Sequence, residues 1–296
     1  MRIRQAGQID QGLWLLGTQE SCVYLLEGAE TSVLISAGMP YILPDLFRQM
    51  ASWGMTPEKI EHVVILHAHF DHVGVVPYLK RSRPDMKIYA SARGWEVLAN
   101  PRAVSVINEF SETVRRRMKG SEDPLAGMDW VWRDDVKGEI LAQGDMLDIG
   151  GRQVRFFETP GHSSCSISVW VPGLNVLFPS DSVAIPYRDE YIIAVGSNFE
   201  KYLASLDKLA GLDVGKICAD HYGCIVGEEA RGYIAQTRAA TLQMMDRMRE
   251  ALGREGSVGE AARQLIRFHY ELRPDYFVHP DILLRTYTQM LKQLTG

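Results

Sequence analysis

The segment VVILHAHFDHVGVVPYL, residues 63–79, sets His67, His69, Asp71 and His72 within six residues directly after an apolar run. Only eight histidines occur among 296 residues, so three in one hexapeptide need a chemical reason. The run before them reads as a buried strand that delivers the cluster at its C-terminal end. His67 and His69 are two apart, so in an extended segment both side chains leave the same side. Asp71 and His72 follow where the spacing starts a helix. Imidazoles and a carboxylate so close together form the N/O donor set that Zn, Fe, Mn or Ni accept.

Three further residues fall in comparable places. His162 lies in ETPGHSS, Asp181 in VLFPSDS and His221 in KICADHYG, each just past a strand-like run. Strand-end turns are how a sheet scaffold presents ligands from distant parts of a chain. With the hexapeptide these make seven candidate ligands: His67, His69, Asp71, His72, His162, Asp181 and His221. That number suffices for two divalent metal ions sharing one carboxylate. His62, His269 and His279 read as surface or capping residues. Cys22, Cys165, Cys218 and Cys224 form no C-x-x-C pair and read as small buried hydrophobes in a reducing cytosol.

Working outward, LWLL, CVYLLE and SVLIS read as short strands, and YILPDLFRQMASWG as an amphipathic helix closed by Gly54. Helices are expected at 92–99 and 104–119. A second β-rich block is expected from about Glu139. There MLDIGGRQVRFFET reads as a hairpin turning at Gly150-Gly151, and SISVWVPGLNVLFPSD as another turning at Pro172-Gly173. FEKYLASLDKLAGL reads as a helix and KICADH as a strand. The remainder is helical, over 228–252, 258–270 and 281–294. Two β-rich halves, each followed by helices, predict an α+β fold with αββα layering. The main domain spans 1–227, and 228–296 forms a helical extension covering the site entrance.

Composition limits the partners. Hydrophobic residues make up 46% and charged ones 23%, and the formal net charge is −5, with a pI near 5.9. A nucleic-acid surface would be basic, so none is expected. Arg115-Arg116-Arg117 reads as a solvated helix face. No run reaches secretory length or the roughly 18 apolar residues of a membrane span, so a soluble cytoplasmic protein without a membrane partner is expected.

The order H-x-H-x-D-H, then GH, then a strand-end Asp, then a last His resembles the metallo-β-lactamase fold superfamily over about the first 225 residues. The resemblance implies a first metal on His67, His69 and His162. A second would lie on Asp71, His72 and His221, with Asp181 bridging. The PYL segment, the chain length and the helical tail are similar to the family containing 2-aminobenzoylacetyl-CoA thioesterase, the quinolone signal response protein. Ser36, Leu66, Val75 and Cys165 depart from the common pattern, where Asp, Thr or Ser, Gly and Gly are frequent. None of them is a ligand, but groups behind the ligands tune a metal.

In such a site two metals about 3.5–4 Å apart lower a water's pKa towards about 7. The resulting hydroxide bridges them and attacks a thioester, ester or lactone carbonyl. Asp71 orients it, which makes Asp71 the candidate catalytic residue. The expected partner is therefore a small-molecule thioester or ester. Tyr187, Arg188, Tyr191, Tyr276, Phe277 and Tyr287 are expected to line the substrate channel, with Arg188 meeting an anionic portion. Two alternatives stay open: a diiron redox domain, and a signalling protein whose metal is chiefly structural. Diiron relatives usually carry a fused flavin domain and a glutamate where His69 stands.

Overall fold

A computed structural model describes residues 1–118, 123 and 125–295. Among these residues fourteen strands form two sheets of seven. The first two-residue strand, β1 (Arg2–Ile3), belongs to the second sheet. The first sheet then runs in chain order through β2 (Gly7–Asp10), β3 (Leu13–Gly17), β4 (Cys22–Glu27), β5 (Ser32–Ile35), β6 (His62–Val64), β7 (Lys87–Ser91) and β8 (Glu139–Leu141). Strands β2 to β5 pair antiparallel, while β5 to β8 pair parallel. Parallel neighbours need crossovers. These are supplied by α1 (Leu43–Ser52), α2 (Val76–Ser82), and α3 (Ala92–Leu98) with α4 (Pro101–Met118).

The second sheet continues with β9 (Met146–Asp148), β10 (Gln153–Glu158), β11 (Ile167–Val171), β12 (Val176–Phe178), β13 (Lys216–Cys218) and β14 (Cys224–Val226). Helix α5 (Phe199–Leu209) crosses between the parallel strands β12 and β13. Strand β1 closes the edge by pairing with β14. The tail is α6 (Glu228–Glu255), α7 (Val258–Leu272) and α8 (Pro280–Lys292). No described helix is long and apolar enough to cross a membrane.

Side-chain alternation places the layers. Val33 and Ile35 join Phe156, Val169 and Phe178 between the sheets, while Leu34 between them packs outward with α1–α4 residues such as Leu46. The outer face of the second sheet gives Leu177, Ile217 and Ile225 to a core shared with Met248, Ile266 and Met290 of the tail. Strands buried on both faces read as unbroken apolar runs, which is why SVLI and HVVIL stand out in the sequence. The result is the αββα layering, with helices outside two facing sheets.

Both expected hairpins form: Asp148 pairs with Gln153 around Gly150-Gly151, and Val171 with Val176 around Pro172-Gly173. Two readings are corrected. Glu139–Leu141 does not open the second sheet; it lies parallel to Tyr89–Ser91 at the edge of the first. Three residues carry too little periodicity to name their sheet. The helix expected from 104 starts three residues earlier, at Pro101, where the Asn100 side chain accepts from the Arg102 N–H at 2.9 Å. Its expected last residue, Lys119, lies outside the described residues.

Candidate metal centre

The hexapeptide loop is pinned on three sides before any ligand is considered. Ile65 N–H donates to Tyr89 O at 2.8 Å, Ile167 N–H to Leu66 O at 2.8 Å, and Gly74 N–H to Gly38 O at 2.7 Å. Gly74 is required by proximity, since a Cβ there would stand 2.4 Å from the Pro40 nitrogen. Between these anchors, residues 70–72 make one 3-10 turn that carries Asp71 and His72 round to face His67.

Two donor groups result, both at the C-terminal ends of the strands. His69 Nδ1 lies 3.1 Å from His67 Nε2 and 2.9 Å from His162 Nε2, so three imidazoles converge. Beside them, His72 Nε2 is 3.6 Å from Asp71 Oδ1, and His221 Nε2 is 3.8 Å from Asp71 Oδ2. Asp181 stands between: one carboxylate oxygen is 3.4 Å from both His72 and His162 Nε2, the other 3.7 Å from His221 Nε2. All seven residues read from the sequence as ligands are thus brought together, and their donor atoms form overlapping groups able to hold metal.

The imidazoles are oriented from behind. His162 Nδ1 faces Ala194 O at 2.5 Å and His221 Nδ1 faces Glu20 O at 2.6 Å. A carbonyl can only accept, so the proton sits on Nδ1 and the inward Nε2 presents a lone pair. His72 Nδ1 lies 2.8 Å from Asp220 Oδ2, which also accepts from Ser180 Oγ at 2.6 Å. Ser180 Oγ is then free to accept from His67 Nδ1 at 3.1 Å. Asp220, one residue before His221, was not singled out from the sequence. A lone aspartate in CADH has no spacing that separates it from a surface residue.

Charge and solvation fit a cation. His72 Nε2 and His221 Nε2 are buried without a hydrogen-bond partner, an arrangement that costs free energy unless something binds them. Burial works against charge on His72, but the carboxylates of Asp71 and Asp181 near Nε2, with Asp220 at Nδ1, outweigh it and hold its pKa well above the usual range. Burial likewise opposes ionisation of Asp181. The imidazoles of His72, His162 and His221 prevail and keep its carboxyl well below the ordinary value. Burial and the surrounding imidazoles push His67 well down, leaving a neutral ligand. Positive charge is therefore favoured at His72, where a divalent cation would displace the proton, while His67 and His69 stay neutral.

Residues 17–221 match the sequence profile of the metallo-β-lactamase superfamily. The chain belongs to that superfamily. A metallo-β-lactamase-fold protein of Sulfurisphaera tokodaii is 24% identical over 209 residues, spanning 69% of this chain and 73% of that protein. A type A flavoprotein of Rhodobacter capsulatus is 25% identical over 233 residues, and this match covers 73% of the chain but only 47% of the flavoprotein. The structure of a metallo-β-lactamase family protein from Thermus thermophilus superposes with a TM-score of 0.68 at 18% identity, over 96% of this chain and 94% of that one. That last likeness is one of fold, and it includes the helical tail.

Beside these donor groups opens a cavity of about 520 Å³ whose lining includes His69, Asp71, His162, Asp181 and His221. Of the six residues expected to line a channel, Tyr276 and Phe277 reach it. The other four do not. Tyr187 packs behind Tyr276, with ring centroids 5.4 Å apart, and donates to Asp275. Arg188 is held outside by both oxygens of Asp275, at 2.9 Å each. Tyr191 and Tyr287 line a separate small pocket beside Glu190 and Arg273. On α8, Thr286 lines the cavity and its neighbour Tyr287 the small pocket, so residues adjacent in sequence face opposite ways.

His269 also departs from expectation. It is buried rather than at the surface, with Nδ1 3.1 Å from Tyr287 Oη. His279 does cap α8, its side chain accepting from Asp281 N–H at 3.2 Å. The cavity wall missed by sequence reading is the α4 stripe of Ala103, Val106, Ile107 and Phe110. Its helical spacing looks the same whether the stripe faces a core or a ligand.

Proposed function

We propose that the protein is a dinuclear metal-dependent hydrolase acting on a thioester, or on an ester or lactone, at a carbonyl held over the seven ligands. The observation that carries this reading is an apolar cavity opening directly onto the donor atoms, so that a substrate can be desolvated where the charge resides. Two divalent ions bound there, zinc, iron or manganese, would supply a nucleophilic water at neutral pH and polarise the carbonyl. Asp71, on the cavity floor, accepts a hydrogen bond from the attacking water and fixes its direction. Asp181 stays ionised and keeps the two halves of the ligand set at fixed separation. Phe277 lies 5.0 Å from the His221 ring, where it sheds water from that side of the floor.

The resemblance to the 2-aminobenzoylacetyl-CoA thioesterase family supports a thioester as the preferred substrate. A second reading, redox chemistry at a diiron centre, is favoured by the likeness to the type A flavoprotein. Against it stands His69, an imidazole where diiron relatives commonly carry a glutamate. The deciding experiment is hydrolysis of a thioester and lactone panel by protein whose metal content is assayed on the same sample, after loading with zinc, iron or manganese. Thioester turnover at close to two metals per chain is expected. Full metal loading without hydrolysis would overturn the proposal, and reductant-driven consumption of oxygen or nitric oxide would replace it with the redox reading.

A further inference from the structure

The cavity carries a charge pattern that the hydrolytic reading does not use. Its walls are apolar, from Val106, Ile107 and Phe110 on one side to Phe277, Ile282 and Leu283 on the other. At the rim stand Arg102 on α4 and Arg285 on α8, both exposed. Several surface arginines of this chain pair with a carboxylate one turn away, as Arg93 does with Glu96, Arg133 with Asp129 and Arg249 with Asp246. Among the described residues neither rim arginine has a carboxylate partner. Asp281, one helical turn before Arg285, is where such a partner would stand. It faces His279 instead, at 3.6 Å, while the Arg285 guanidinium lies over the Phe110 ring, 5.1 Å from its centroid.

Ring contacts connect this guanidinium to the metal loop. Phe110 meets Phe70 edge-on at 5.5 Å, and Phe70 sits between His69 and Asp71 in the chain. One apolar path thus runs from the metal loop to the Arg285 guanidinium, and Arg102 lines the same cavity. Arg188, the residue the sequence suggested for an anion, is already neutralised by Asp275.

We propose, resting on the hydrolase reading, that the substrate is an acyl thioester whose apolar chain ends in a carboxylate, held at the rim by Arg102 and Arg285 while its carbonyl lies over the ligands. An aliphatic chain matches the wall. The amides of a coenzyme arm would need hydrogen-bonding partners there, and apart from the imidazoles the neutral polar side chains among the described lining residues are Tyr276 and Thr286. A guanidinium–carboxylate contact can be bidentate, which gives orientation as well as affinity.

The test uses metal-loaded full-length protein and N-acetylcysteamine thioesters of suberate and octanoate, which match in length and differ in the terminal carboxylate. The suberoyl thioester should be preferred by about tenfold in kcat/KM, expressed in KM, the scale of one charge-assisted hydrogen bond at an exposed site. That ratio should fall to near one in the R102A/R285A double variant and be partly retained in R102K/R285K. Equal use of both thioesters by the wild type would overturn the proposal. So would a double variant that keeps the suberoyl preference but loses a preference for octanoyl-CoA over octanoyl-N-acetylcysteamine, which would put the anion on the leaving group. If no thioester is turned over, calorimetric binding still decides. Octanesulfonate binding about tenfold tighter than octanol, a margin lost in the double variant, sustains the anion site. An unchanged margin overturns it.

Discussion

Asp220 shows how one carboxylate can govern two imidazoles. It accepts from His72 Nδ1 and Ser180 Oγ, and through Ser180 it reaches His67. Asp220→Ala should lower metal affinity by about 10–100-fold, measured by competition with a chelator. Binding equal to wild type would show that the ring orientations are held elsewhere. His269 gives a second expectation at this scale. Burial, with Arg273 nearby, pushes its pKa from 6.5 down to about 4. Between those values the unfolded chain takes up a proton that the folded chain refuses, so stability falls as pH drops through the window. His269→Phe should flatten the fall of the thermal midpoint over that range; a fall as steep as in wild type would assign it to other groups. The contrast in legibility is physical. The candidate ligands stood out because a metal site needs several scarce residue types close together. Asp220 acts through partners 148 and 40 positions away, and such contacts leave no pattern along a chain.

Elements present the ligands, and the turn before β11 shows how tightly. Gly161 has φ +142°, and a Cβ on it would stand 2.3 Å from Tyr202 Cα on α5. Gly161→Ala should therefore displace His162, lowering both the thermal midpoint and the metal content per chain. Metal content equal to wild type would show that α5 can yield. Long helices and glycine-turned hairpins were readable because their periods repeat. The two-residue strand Arg2–Ile3 was not, since its pairing is decided by a partner more than two hundred positions away. The apolar stripe of α4 was visible, but what it faced was not, because the approach of α8 belongs to tertiary packing.

Across the whole molecule the tail and the second sheet share one core, in which Leu177, Ile217 and Ile225 lie with Met248, Ile266 and Met290. Gln293 adds polar stitching: its side chain accepts from Phe199 N–H and donates to Val195 O, both at 2.9 Å. A chain ending at Gly227 would expose that sheet face, and it should bind a hydrophobic dye and melt without a sharp transition. A cooperative melt would show that residues 1–227 fold alone. Layering was readable from the order of strand-rich and helix-rich blocks, whereas the shared core was not.

The pairing of Arg2 and Ile3 with Cys224 and Ile225 also has a consequence for how a ribosome delivers this protein. Arg2 and Ile3 have no strand to join until Cys224 and Ile225 have been made. Contacts of that separation form slowly. The HAHFDH loop is complete early, while His162, Asp181 and His221 arrive on the late-forming sheet. A chain made only through the HAHFDH loop therefore presents four of the seven candidate donors, and the set is complete only once residue 221 has joined it.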